Sequence, residues 1–147
     1  QMNDAESLRI LTLLTLLVDG DPQSVMGPDS PGDLPIHLAV GHKSFEFCKI
    51  LIDAYPASLR IHSADGQFKG TLPIHLASSA AETRLIKYIL SRDPECASMG
   101  TYYGDLPLHC ACRGSYVNSG RYRFDATVLK LLLDAYPEAV FERNSRG

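Results

Sequence analysis

The chain has 147 residues, 45% of them hydrophobic, which is enough for one folded domain with its own core and excludes wholesale disorder. A net charge of −3 gives no global attraction for nucleic acid or an anionic membrane. Four cysteines in a chain of this length do not form a disulfide framework, so an intracellular, reducing compartment is expected.

Taken in chain order, the first element is the apolar run Leu8 to Val18. It is 11 residues long, against about 20 for a membrane span, and Asp4 and Glu6 stand where a signal peptide needs basic residues. No membrane insertion is expected. The run continues into Leu16-Leu17-Val18-Asp19-Gly20-Asp21-Pro22, an apolar helix end halted by proline.

A motif comes next. Leu-Pro-Ile-His-Leu-Ala occupies Leu34 to Ala39, recurs at Leu72 to Ala77, and returns as Leu-Pro-Leu-His-Cys-Ala at Leu106 to Ala111. Gly32, Gly70 and Gly104 each stand two residues before a copy, 38 and 34 residues apart. Pro35, Pro73 and Pro107 suit the first position of a short helix, where a missing N–H costs nothing. A second helix is expected behind each copy, at Phe45–Ala54, Thr83–Arg92 and Ala126–Ala135. Phe47, Ile50, Leu51 and Ala54 fall at helical spacing, as do Val128, Leu131, Leu132 and Ala135. Pro56, Pro94 and Pro137 end these helices, and the residues before them, like Asp21, turn extended. Extended stretches such as Ala57–His62 and Ala139–Arg143 then lead toward the next unit. Neither helix of a unit buries its apolar face alone, so the units must stack.

Gly-x-Leu-Pro-Ile-His-Leu-Ala followed by a Leu-rich helix resembles the ankyrin repeat, whose usual motif is Gly-x-Thr-Pro-Leu-His-Leu-Ala. The resemblance implies an all-α ankyrin-repeat solenoid of helix-turn-helix units with β-hairpin-like fingers. One array over residues 1–147 is expected, with a half repeat at 3–29 and repeats at 30–64, 68–101 and 102–144. It reads as part of a longer array, with its ends covered by further repeats or by a partner subunit. Leu34, Leu72 and Leu106 replace the family's threonine and so remove a side-chain cap. Asp33, Thr71 and Asp105, one residue earlier, are placed to cap in part.

Two insertions give the chain its individuality. The second finger is longer by four residues and carries Phe68 and Lys69 near its tip. The third unit holds nine extra residues between its helices, within Gly114 to Phe124. Partners of ankyrin arrays usually touch finger tips and the concave face of the first helices. On that basis Asp33, Phe68, Lys69, Tyr102, Tyr103 and Asp105 are the candidate partner contacts. Tyr116, Arg121, Tyr122 and Arg123 of the long insertion form a candidate second contact; the alternative is that the loop only covers its own helix pair.

The residues that look chemical read as framework. His37, His75 and His109 recur once per unit, as a catalytic histidine has no reason to, and in the family this side chain bonds backbone near the finger turn. His42 and His62 have no matched partners. Cys110 and Cys112 beside His109 lack a second ligand pair at zinc spacing, and positions two apart on a helix point to different faces. Cys110 takes a leucine position and should face the core. Arg113 joins Arg121, Tyr122 and Arg123 in a basic and aromatic cluster that reads as solvated loop, because no wider positive field supports it. No phosphate-cradling glycine loop, catalytic triad or paired carboxylates occur. The expectation is a non-catalytic scaffold or adaptor that binds a protein partner, with no cofactor, no metal and no nucleic acid. The alternatives are an anchoring subunit of a large assembly, and the regulatory arm of an enzyme whose catalytic domain lies outside this chain.

Overall fold

A computed structural model describes residues 33–64, 68–114 and 125–146. The half repeat and the 115–124 part of the insertion lie outside the described residues, as do Gly32 and Asp21. Among the described residues, six α-helices come in three pairs: α1 Pro35–Ala39 with α2 Phe45–Ala54, α3 Pro73–Ser79 with α4 Thr83–Arg92, and α5 Pro107–Arg113 with α6 Ala126–Ala135. The first helices stack α1 on α3 on α5, and the second helices stack α2 on α4 on α6. The second helices begin and end where the sequence places them.

Each first helix opens on its proline with a leucine at the N-cap, and no N-cap side chain accepts a hydrogen bond. The motif histidine does the opposite job from the third helical position. Its Nδ1 accepts the N–H of Leu34 (3.1 Å), Leu72 (3.0 Å) or Leu106 (2.9 Å). The expected partial capping by the preceding residue does not occur, because those side chains are engaged elsewhere. Ser63 donates to Asp33, Thr71 donates to the Phe68 carbonyl (2.6 Å), and Asp105 is held by arginines and Asn144. The leucines serve the core instead: Leu72 is fully buried.

The second helices stop as expected. Tyr55, Asp93 and Tyr136 leave the helix at φ −141°, −150° and −147°. The segments behind them depart from the expectation of extended chain: Pro56–Arg60, Pro94–Ser98 and Pro137–Val140 are 3₁₀ turns. Proline's fixed φ starts a tight turn as readily as a strand, and the turn tucks Leu59 and Cys96 into the core. In α2 the fully buried positions are Cys48, Leu51 and Ile52; Phe47 and Ile50 are half-buried against their neighbours. α2 packs on α1, α4 and the 3₁₀ turn behind it, so its buried stripe is wider than a simple amphipathic face.

The fingers carry backbone hydrogen bonds without regular strands among the described residues. In the second finger, Ser63 N–H donates to Thr71 O (2.8 Å) and Gly70 N–H to Ser63 O (2.7 Å). In the third, Thr101 N–H donates to Asp105 O (2.9 Å). Neighbouring fingers are tied by Tyr102 N–H to Gly70 O (3.1 Å) and Ser145 N–H to Tyr103 O (3.0 Å). The outer face is tied by charge. Arg60 forms a two-pronged pair with Asp93 and reaches Glu95, and Arg92 meets Asp53 at 2.6 Å.

Candidate functional site

The motif histidines are part of the frame. Because Nδ1 accepts a backbone N–H, the proton must sit on Nε2. That Nε2–H then donates to Ile61 O (3.0 Å) from His37 and to Glu142 O (3.2 Å) from His109, linking helix start to finger. His75 Nε2 faces the backbone of Met99 and Asp105 without making a hydrogen bond of normal geometry. Burial pushes the His75 imidazole down to about 4 and lowers that of His37. The rings of His37 and His75 are neutral struts. Among the described residues, no three His, Cys, Asp or Glu side chains converge as metal donors. Cys110 is buried, which raises its thiol to about 11, whereas Cys112 is exposed on another face.

The surface candidates fare differently. Tyr102 and Tyr103 stand side by side on the third finger at 61% and 58% exposure. Lys69 is exposed and Phe68 half-exposed on the second finger. Tyr102 is partly structural: its ring lies 5.0 Å from that of His62, whose Nε2 bonds Gly100 O at 2.9 Å. Asp33 is half-buried and bonded to Ser63. Tyr116, Arg121, Tyr122 and Arg123 lie outside the described residues.

Asp105 needs the largest revision. It is 3% exposed, so its carboxylate is not an open contact for a partner. Asn144 Nδ2 donates to it at 2.5 Å, Arg113 reaches it at 3.1 Å, and Arg146 stands at 3.6 Å. Burial pushes its carboxyl pKa up, but the hydrogen bonds from Asn144 and Arg113 and the nearby positive charges outweigh that and hold it below the ordinary value. Asp105 thus clamps the last described segment to the third finger and fixes two guanidinium groups.

Between the second and third fingers and the first helices lies a cleft of about 300 Å³. Phe68, Lys69 and Tyr103 form its rim, Leu76 and Ser79 of α3 contribute to its lining, and Arg113 and Arg146 bound it beside Asp105. It brings together four of the sequence candidates: Phe68, Lys69, Tyr103 and Asp105. The sequence alone does not single out Leu76, Ser79 or Arg146, and it assigns Arg113 to solvated loop. A signal is present for two of these: Ser79 and Arg113 both stand six residues after the motif proline, at the end of their first helices.

No helix among the described residues is long and apolar enough to cross a membrane. No solved structure matches the chain. A family model described as ankyrin repeats (3 copies) matches residues 36–141, which covers the six described helices but for the first residue of α1. Ankyrin repeats generally mediate protein–protein interactions and are typically non-catalytic. The repeated proline-started helix, the histidine strut and the tied fingers have their common explanation there: the chain belongs to the ankyrin repeat family.

Proposed function

We propose that this chain is a non-catalytic scaffold or adaptor that holds a protein partner on its second and third fingers and the adjoining concave cleft. One observation carries the reading: Tyr102 and Tyr103 are exposed on a finger whose backbone is bonded to its neighbours on both sides. Large aromatic area on an already ordered backbone binds with little further loss of conformational freedom. Phe68 and Lys69 extend that surface across the cleft. An intracellular, reducing compartment belongs to the same reading, supported by four free thiols, three of them buried.

Affinity capture from native extract tests it, with the array as bait and a Phe68→Ala, Lys69→Ala, Tyr103→Ala variant as control. Tyr102 is left intact because its ring packs on His62. A partner held by the parent and lost from the variant is expected. Equal capture by both would move the function off this surface.

A further inference from the structure

The cleft between the second and third fingers is not electrically balanced. Lys69, Arg113 and Arg146 line it, and Asp105 is the only carboxylate among its described lining residues. The other titratable groups there do not restore balance, since buried His75 is neutral and the Cys110 thiol stays protonated. Asp105 is itself buried, at 5% side-chain exposure, while the side chains of Arg113 and Arg146 are 51% and 62% exposed. Each guanidinium carries five N–H groups and gives only part of that capacity to Asp105, so donors remain for an incoming anion. Their positions are set in advance. Arg146 is placed both by Asp105 and by the Tyr103 ring, 5.9 Å from the ring centroid. Beside these cations, Phe68, Leu76 and Tyr103 supply an apolar wall.

We propose that this cleft takes an acidic protein segment, with its carboxylates on Lys69, Arg113 and Arg146 and an aromatic or aliphatic side chain against Phe68, Leu76 and Tyr103. Asp105 is a positioning residue, holding the two arginines in the orientation that a carboxylate meets. The occupant is a peptide and not a nucleic acid, because the chain as a whole carries a net charge of −3, which gives no general attraction for a phosphate backbone. The inference rests on the binding surface proposed above and adds the chemistry of what it binds.

Selection of a random displayed-peptide library on the 147-residue chain tests the idea, followed by fluorescence anisotropy of the selected peptides, labelled, at low and high salt. Enrichment of peptides that combine Asp or Glu with an aromatic or aliphatic residue is expected, with binding that weakens as salt rises. Changing their acids to amides should weaken binding by about tenfold or more. Arg113→Gln with Arg146→Gln should do the same. Because that pair also leaves Asp105 short of partners, Lys69→Glu is measured beside it, an exposed change at a side chain with no ion pair among the described residues. Circular dichroism checks that both variants fold. Enriched neutral peptides that are lost on Tyr103→Ala would overturn the acidic-segment inference and leave the interaction surface standing. Peptides that bind the Tyr103→Ala, Lys69→Glu and double-arginine variants as well as the parent would remove both. Tighter binding of a labelled single-stranded oligonucleotide than of any acidic peptide would overturn the choice of a protein ligand.

Discussion

The ring of Tyr102 lies directly over Gly70: a Cβ on residue 70 would stand 2.7 Å from two ring carbons and 2.8 Å from the Tyr102 Cβ. The same tyrosine's N–H donates to Gly70 O, so the two fingers meet where a side chain at residue 70 has no room. Gly70 also sits at φ +80°, a conformation that costs an L-residue about 1–2 kcal/mol. Rotating the ring cannot relieve a contact with its own Cβ.

Gly70→Ala is therefore expected to destabilise the array by about 2–4 kcal/mol, combining backbone strain with the displaced tyrosine. Gly104 shares the positive φ, at +73°, but the nearest atom to its added Cβ is 3.6 Å away. Gly104→Ala should cost only the backbone share, about 1–2 kcal/mol. Urea unfolding of both variants decides it, and equal midpoints would mean that the Tyr102 packing contributes nothing.

The leucines that replace the family's threonine allow two effects to be compared. Leu72→Thr restores a capping hydroxyl, worth about 0.5–2 kcal/mol, but removes most of a buried leucine, worth about 1.5–3 kcal/mol. The His75 N–H that such a hydroxyl would cap already has an acceptor in Leu72 O (3.0 Å), and the Leu72 side chain is 0% exposed. A net loss of about 1–2 kcal/mol is expected. Leu34 and Leu106, at 8% and 6% exposure, should lose less on the same change. A stabilised Leu72→Thr variant would show that the missing cap outweighs the core.

The repeat frame is legible in the sequence because its signals are local. Proline at the start of a motif helix, proline behind a Leu-rich one and the 3.6-residue period together place α2, α4 and α6 at their observed ends. The 3₁₀ turns are not legible, because Pro56, Pro94 and Pro137 fit the start of a turn and of an extended segment equally well. Asp105 misleads for a different reason. It shares its motif position with Asp33, which suggests a finger tip, but its fate depends on Asn144 and Arg146, about forty residues later. Arg113 gains its place in the cleft through that same carboxylate. Contacts across such a separation leave no periodicity to read.

The buried histidines make the fold sensitive to acid in a particular range. His75 folds with its pKa lowered to about 4, against about 6.5 when unfolded, so the unfolded chain binds the proton that the folded chain refuses. Stability is complete above the unfolded value and falls as pH drops from about 6.5 toward about 4. His37 is shifted in the same direction and adds to the loss. Between pH 7 and 5, His75 should account for about 2 kcal/mol. His75→Asn keeps an acceptor near the Leu72 N–H and cannot take up this proton. It should be less stable than the parent at pH 7 yet show a shallower fall in urea midpoint down to pH 5. Parallel slopes in the two proteins would assign the acid sensitivity elsewhere.

Thiol reactivity reads the core directly. Cys48, Cys96 and Cys110 are buried, and burial pushes their thiols to about 11, 12 and 11, so at neutral pH they present neither access nor thiolate. Cys112, one residue past Ala111 on α5, is exposed. Native protein treated with a disulfide reagent at neutral pH should therefore release one equivalent quickly, and full urea should release four. The slow release of the remaining three should follow opening of the array. It should accelerate in Gly70→Ala, which loosens the contact between fingers, while the fast equivalent at Cys112 stays unchanged. Rapid reaction at Cys96 in the folded parent would contradict the packing of the second 3₁₀ turn, where its Sγ lies 3.8 Å from Leu59 O.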